Sequence, residues 1–366
     1  MNRLSIGILN RFGRKNITIV IIMLLLCAAP FFLSDFRTNL LGKFVAYAIL
    51  ALGIDLIWGY TGILSLGHGV YFGLGAYCMA MYLKLEAEGG KLPDFMSWSG
   101  RETLPWFWKP FGIAPVAILA AIVLPTLVAL IIGYLTFKNR IRGVYFSILT
   151  QALSIIFVVL FVGQQELTGG TNGITNFKTI FHFSLAGSAT KLWLYYISVV
   201  LLLLAFIFCK FIINRRVGRV LIAIRDGENR ARFSGYNPTT YKVFVYCVSA
   251  ALAGLAGAIY VPQVGIISPA EMGIVPSIEM VIWVAIGGRG SLSGAIIGAI
   301  LVNLLKSGVS EQFPAIWSYF IGIAFVVVVI FMPSGMVGVF NRLKNRLGGV
   351  RNGSPAAIED AGVIGE

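Results

Sequence analysis

Charge is what this chain has least of. Only 12% of its 366 residues are Asp, Glu, Lys or Arg, against 58% hydrophobic. A soluble chain of this length needs roughly a quarter of its residues charged to keep its surface wet, so a soluble globular fold is excluded. Histidine is scarce: His68 and His182 stand far apart and form no ligand cluster. The four cysteines, Cys27, Cys78, Cys209 and Cys247, lie in or beside apolar runs without a CxxC spacing. They are expected to be buried thiols with no disulfide or metal role. There is no G-x-x-x-x-G-K-[ST] loop, so the chain does not itself hydrolyse nucleotide, and no H-E-x-x-H or nucleophile–base pair. No enzyme activity and no cofactor of its own are expected.

Long apolar runs are what the chain has in place of charge. They fall near 17–33, 41–58, 63–83, 113–137, 143–163, 192–213, 241–262, 276–286, 292–305 and 315–332. Runs of about 18 to 25 apolar residues are long enough to cross a bilayer, and they are continuous where a β-barrel strand would alternate. The expected fold is an all-α, polytopic transmembrane bundle of about 8–10 spans. The first run lacks a small-residue cleavage site and reads as a retained span. Runs 276–286 and 292–305 are too short for untilted spans and read as a re-entrant hairpin or two half-helices.

The excess of base is +14. It collects at the ends of apolar runs, the pattern of the positive-inside rule rather than of nucleic-acid binding. With both termini cytoplasmic and every run crossing, all strongly basic segments fall on one side. Residues 1–347 then form one membrane domain. Segment 84–111, with Trp98, Trp106 and Trp108, is expected to lie extracytoplasmically at the lipid interface, because Trp prefers the headgroup layer. Residues 348–366 are expected to be a disordered tail.

Glycine is abundant, at 42 residues. At helical spacing, as at Gly254, Gly257, Gly294 and Gly298, it points to close helix packing. At Gly59–Gly62 and Gly287–Gly290, where Gly meets polar residues, it points to broken helices lining a cavity. Mid-span carboxylates are few. Asp55 suits a structural hydrogen bond, and Glu279 suits either end-of-span capping or cavity lining.

One polar island interrupts this pattern, Arg215 to Lys242. Val217, Val220, Leu221 and Ile224 recur at helical spacing, and Gly235 and Asn237-Pro238 stop the helix. A basic helix of this kind can rest on anionic lipid. Asp226 and Glu228 argue against lipid alone and for a soluble motor domain.

Four motifs carry a family resemblance. They are Gly218-Arg219 with Ala223-Ile224-Arg225-Asp226-x-Glu228-x-x-Ala231-Arg232-x-x-Gly235; Ser65-Leu66-Gly67-His68-Gly69 through Tyr77; Ser249-Ala250-x-Leu252-Ala253-Gly254-x-Ala256-Gly257; and Gly287-Gly288-x-Gly290-Ser291-x-x-Gly294. Together the chain resembles permeases of the branched-chain amino acid family of ATP-binding-cassette importers. Within it the chain is similar to the urea-importer permease of the longer type, through the insert Leu92–Trp108, the span start Gly143–Ala152 and Gly169–Phe177. The resemblance implies an inner-membrane complex: a second homologous permease, two cytosolic ATPases gripping the segment 215–240, and an extracytoplasmic binding protein. It assigns ATPase contact to Arg219, Arg225, Asp226, Glu228, Arg232 and Gly235.

Urea is neutral and planar, with N–H donors and one carbonyl acceptor, so its path needs amide and hydroxyl partners. Tyr60, Thr61, Thr150, Gln151, Thr171, Asn172 and Glu279 are the candidates. Gln151 and Ser154 serve equally as interhelical hydrogen bonds, and Thr171-Asn172 suits a Gly-flanked turn slightly better than a solute contact. A branched-chain amino acid permease is the nearest alternative reading. A stand-alone channel or ion-coupled carrier is the alternative from another class.

Overall fold

The computed structural model describes residues 18–89, 91–312 and 322. The run 315–332, both chain termini and the tail 348–366 lie outside the described residues, except for Gly322.

Each described run becomes a helix. Helix α1 is Thr18–Phe31. It is followed by α2 Asp35–Thr61, α3 His68–Ala87, a short α4 Asp94–Trp98, α5 Ala114–Lys138, α6 Val144–Gly163, a single turn α7 Gln165–Thr168 and α8 Ser188–Asn214. Then come α9 Arg216–Phe233, α10 Pro238–Val264, α11 Ile274–Gly287 and α12 Leu292–Gln312. Six of these, α2, α5, α6, α8, α10 and α12, are long and apolar enough to cross a membrane. The architecture is a polytopic helical bundle. Two-residue antiparallel pairings, Ile174–Thr175 with Ile266–Ile267 and Thr179–Ile180 with Phe183–Ser184, are the described β structure.

Helices α2, α3 and α10 form the buried centre, with α5, α8 and α12 packed around them. Helices α5, α6 and α8 leave rows of large apolar side chains exposed, among them Leu127, Ile131, Ile155, Val159, Val200 and Leu204. In a membrane this face meets lipid tails, as apolar as the side chains themselves. Cys78 and Cys209 are buried as expected, but Cys27 is exposed, because α1 lies at the periphery of the bundle.

Glycine sets the closeness of the centre. A Cβ on Gly75 of α3 would fall on the carbonyl oxygen of Gly254 in α10, and one on Gly254 would fall on that of Ala121 in α5. Gly257 and Gly298 similarly face the carbonyls of Phe72 and Trp283. The packing expectation for Gly254, Gly257 and Gly298 therefore matches the geometry.

The breaks sit slightly off their expected places. Gly59 is helical and packs against Gly290; the chain leaves α2 only at Gly62, whose φ of 75° closes the helix in the left-handed region. Helix α11 is 14 residues, a half-span as expected. The run 292–305 is not a half-helix: α12 continues to Gln312 for 21 residues. Polar Asn303, Lys306 and Ser307 hid that continuation from hydropathy. Asn303 is buried and its amide donates to the Ala299 carbonyl at 2.8 Å, so it stays within the helix.

Candidate functional site

Two broken segments meet inside the bundle. Residues 62–67 connect α2 to α3, and residues 265–273 connect α10 to α11. At their meeting point the backbone N–H of Gly69 donates to Ser277 Oγ at 3.1 Å. Gly73 packs on Met272, with no room for a Cβ. Helix α6 holds the first segment from the side. Thr150 Oγ1 accepts from Leu66 N–H at 3.0 Å, and Ser147 Oγ donates to the Leu64 carbonyl at 2.8 Å. A non-helical backbone at membrane depth needs such partners for its free N–H and C=O groups.

This assigns several expected path residues to structure. Thr150 is fully buried and braces the break. Thr61 donates back to the Ile57 carbonyl within its own helix. Tyr60 donates to the Gly290 carbonyl at 3.1 Å, tying α2 to the α11–α12 turn. Asp55 acts on the same turn, accepting from Gly290 N–H at 2.6 Å, the structural role its position suggested. Gln151 is half-buried, while Thr171 and Asn172 are exposed in a 3-10 turn, Gly170–Asn172. Thr61 also lines a cavity beneath α9.

Glu279 lies elsewhere, in a group that the sequence did not assemble. It pairs with Lys306 of α12 at 2.6 Å. Lys43 of α2 sits over the rings of Tyr47 and Tyr260, 5.7 and 5.6 Å from their centroids. Tyr260 donates to Glu271 at 3.4 Å. Lys43, Lys306 and Glu271 each stand at the edge of an apolar run or in a connecting segment, where a charge reads as the end of a span. Only the helices' continuation past those edges places them inside.

At the other end of the bundle α9 lies across the ends of α2, α8 and α10. Val220, Leu221 and Ile224 are buried beneath it and Val217 half-buried, as the spacing predicted. Val220, Ile224 and Ala231 form a small apolar cluster with Tyr236 and Tyr241. The helix is interrupted at Gly227, where the backbone is extended.

The polar residues of α9 divide into two sets. Glu228 faces the bundle, 2.6 Å from Lys242 of α10, 3.1 Å from Arg142 of the α5–α6 loop and 3.6 Å from Arg232. Arg225 Nη1 donates to the Gly59 carbonyl at 2.8 Å, the last turn of α2. Arg225, Glu228, Arg142 and Lys242 line a cavity of about 210 Å³ with Thr61, Phe137 and Phe146. Arg219 and Asp226 instead face away from the bundle and are exposed, as is Gly235 with φ of 85°. The α9 segment thus carries an outward face and an inward clasp that reaches α2, the α5–α6 loop and α10.

The segment between α3 and α5 is anchored by Lys84. Buried to 1% exposure, it bonds Asp94 at 2.8 Å and reaches the Thr175 carbonyl at 3.3 Å. Trp98 and Trp106 are each 81% exposed.

A helical bundle with broken inner helices and one amphipathic helix gripping its end is the build of a multi-pass membrane transport subunit. The family of branched-chain amino acid transport system permease components matches residues 36–330, and the chain belongs to it. It is 25% identical over 346 residues to the high-affinity branched-chain amino acid transport system permease protein LivM of Escherichia coli, covering 88% of this chain and 75% of that one. It is 22% identical to a probable branched-chain amino acid transport permease protein LivM of Methanocaldococcus jannaschii, over 83% and 93% of the two chains. The ribose import permease protein RbsC of Haemophilus influenzae is 23% identical over 84% and 87%. No solved structure matches.

Proposed function

We propose that the chain is a membrane-spanning permease subunit of an ATP-binding-cassette importer in the bacterial inner membrane, moving urea. The observation that carries the permease role is α9. Its outward face exposes Arg219 and Asp226, the latter bonded to Arg225 at 2.9 Å, while Arg225 and Glu228 tie the helix to three other elements of the bundle. Force applied to α9 by a cytosolic ATPase passes directly to α2, α5, α6 and α10. Two ATPases, a second homologous permease and an extracytoplasmic binding protein complete the working unit. ATP-driven closure then switches the cavity between the two permeases from one side of the membrane to the other.

Urea rests on the Trp-rich insert and on the similarity of Gly143–Ala152 and Gly169–Phe177 to the urea branch. A branched-chain amino acid is the second reading. It is favoured by the names of the relatives and by a specific observation, the balanced set Lys43, Lys306, Glu271 and Glu279, which suits a zwitterion.

Uptake of labelled urea, in a host lacking urea transport, tests the reading with and without the neighbouring subunits. ATP-dependent urea uptake only with the full set supports it. Leucine uptake by the same set, uncompeted by urea, moves the substrate to the amino-acid branch. Uptake by this chain alone refutes the importer in favour of a channel or carrier.

A further inference from the structure

Four ionisable side chains from four separate elements converge on one place. Lys43 comes from α2, Glu271 from the 3-10 turn Pro269–Met272, Glu279 from α11 and Lys306 from α12. Glu271, Glu279 and Lys306 all lie close enough to Lys43 to act on its charge. Lys43 stands about 12 Å along α2 from Asp35, and Lys306 about 9 Å along α12 from Gln312, the last residue described in that helix. Both are thus carried within helices long enough to span a hydrocarbon core of about 30 Å. Charges at such depth are costly and mark functional paths.

The four are not equivalent. Glu279 and Lys306 satisfy one another at 2.6 Å. Lys43 and Glu271 do not: among the described residues no carboxylate lies within 4 Å of Lys43, and Glu271 has the Tyr260 hydroxyl at 3.4 Å as its hydrogen-bond partner. Lys43 instead rests its ammonium over the Tyr47 and Tyr260 rings. An opposite pair is therefore held apart, with two aromatic rings as its wall. The carboxylate is borne on the segment that leads into the half-helix α11, and Val275 at the start of that helix is 69% exposed.

We propose that Lys43 and Glu271 form a solute-binding site in the transport path, for a small dipolar molecule with an acceptor at one end and N–H donors at the other. The ammonium of Lys43 takes the acceptor end, a carbonyl or carboxylate oxygen. Glu271 takes the N–H end, with Tyr260 beside it. A urea and an amino-acid zwitterion share this chemistry. Separation of the pair keeps both groups available, where a closed ion pair would have to be broken for each solute. The site rests on the permease reading.

The test uses the complete importer in proteoliposomes, with labelled urea and labelled leucine. Lys43→Met is expected to cut uptake of the transported solute about tenfold or more, the loss of one charge-assisted hydrogen bond. Lys43→Arg keeps the charge and retains most uptake. Co-purification of the variants with the ATPases checks that they assemble. If Lys43→Met does not assemble, Lys43→Arg and Glu271→Gln are scored by half-saturation of uptake. Glu271→Gln separates the two solute classes: a loss of about threefold or less goes with a neutral amide, tenfold or more with an ammonium. Uptake and half-saturation unchanged in every assembled variant overturn the site and leave the permease reading standing. A wild-type complex that carries neither solute overturns the permease reading and the site with it.

Discussion

Removing the Glu228 carboxylate tests how α9 is fastened. Lys242 is only 6% exposed, and Glu228 is its close ion-pair partner at 2.6 Å. Breaking a buried pair from one side costs about 3–5 kcal/mol, because a charge is left without compensation. Glu228 retains some contact with solvent, and its other partners, Arg142 and Arg232, are about a third or more exposed and add little. A value of about 2–3 kcal/mol is therefore expected for Glu228→Gln. That corresponds to a roughly 30- to 150-fold rise in the population of undocked α9. Hydrogen exchange of the α9 amides in the purified protein reads this population directly. Lys242→Met alone should loosen α9 less, since Glu228 keeps Arg142. The double variant should recover most of the loss, because a pair removed together leaves no orphan charge. Unchanged exchange in Glu228→Gln, or a double variant looser than the sum of the single ones, refutes the clasp.

Three further outcomes follow from the packing and the breaks. Gly75→Ala is expected to lower the thermal midpoint of the detergent-purified protein, at a cost of about 1–3 kcal/mol from overpacking against Gly254. Gly163→Ala, with open space around it, should not lower it. Thr150→Val strands the half-buried Leu66 N–H at about 1–2 kcal/mol, whereas Thr150→Ser keeps the acceptor; the two midpoints should differ by a few degrees. Trp98 and Trp106, retained singly as fluorophores, should be quenched more by lipids brominated near the headgroup than by lipids brominated near the chain end; the reverse order would place them elsewhere.

Much of this architecture was legible before any coordinates. Continuous apolar runs located each described spanning helix, because backbone hydrogen bonding leaves a spanning segment no other choice, though α2 begins six residues before its run and α12 ends seven residues beyond its own. The spacing Val217, Val220, Leu221, Ile224 gave the buried face of α9, and glycines at helical spacing marked the close contacts. The interior of the site was less legible. Thr150 has the chemistry of a solute ligand, but Leu66, 84 residues away, uses it as a backbone acceptor. Only the fold brings those two together. The inward turn of Glu228 and the outward turn of Asp226 were equally hidden, because the interruption at Gly227 breaks the helical phase between them. Lys43 and Lys306 were concealed by polarity at the edge of their runs, and Glu271 by its place in a connecting segment. A hydropathy trace records a charge as the end of a span, while a helix can carry that charge inside when an opposite charge or an aromatic face awaits it.

The central claim is that α9 transmits the work of a separate ATPase through its outward face. Arg219→Glu reverses charge on that face and leaves Arg225, Glu228 and their partners in place. In the reconstituted importer, solute uptake and solute-stimulated ATP hydrolysis are measured together. The account predicts that both fall at least tenfold while the permease still inserts and folds. Uptake and stimulated hydrolysis that both persist at the wild-type level would contradict it.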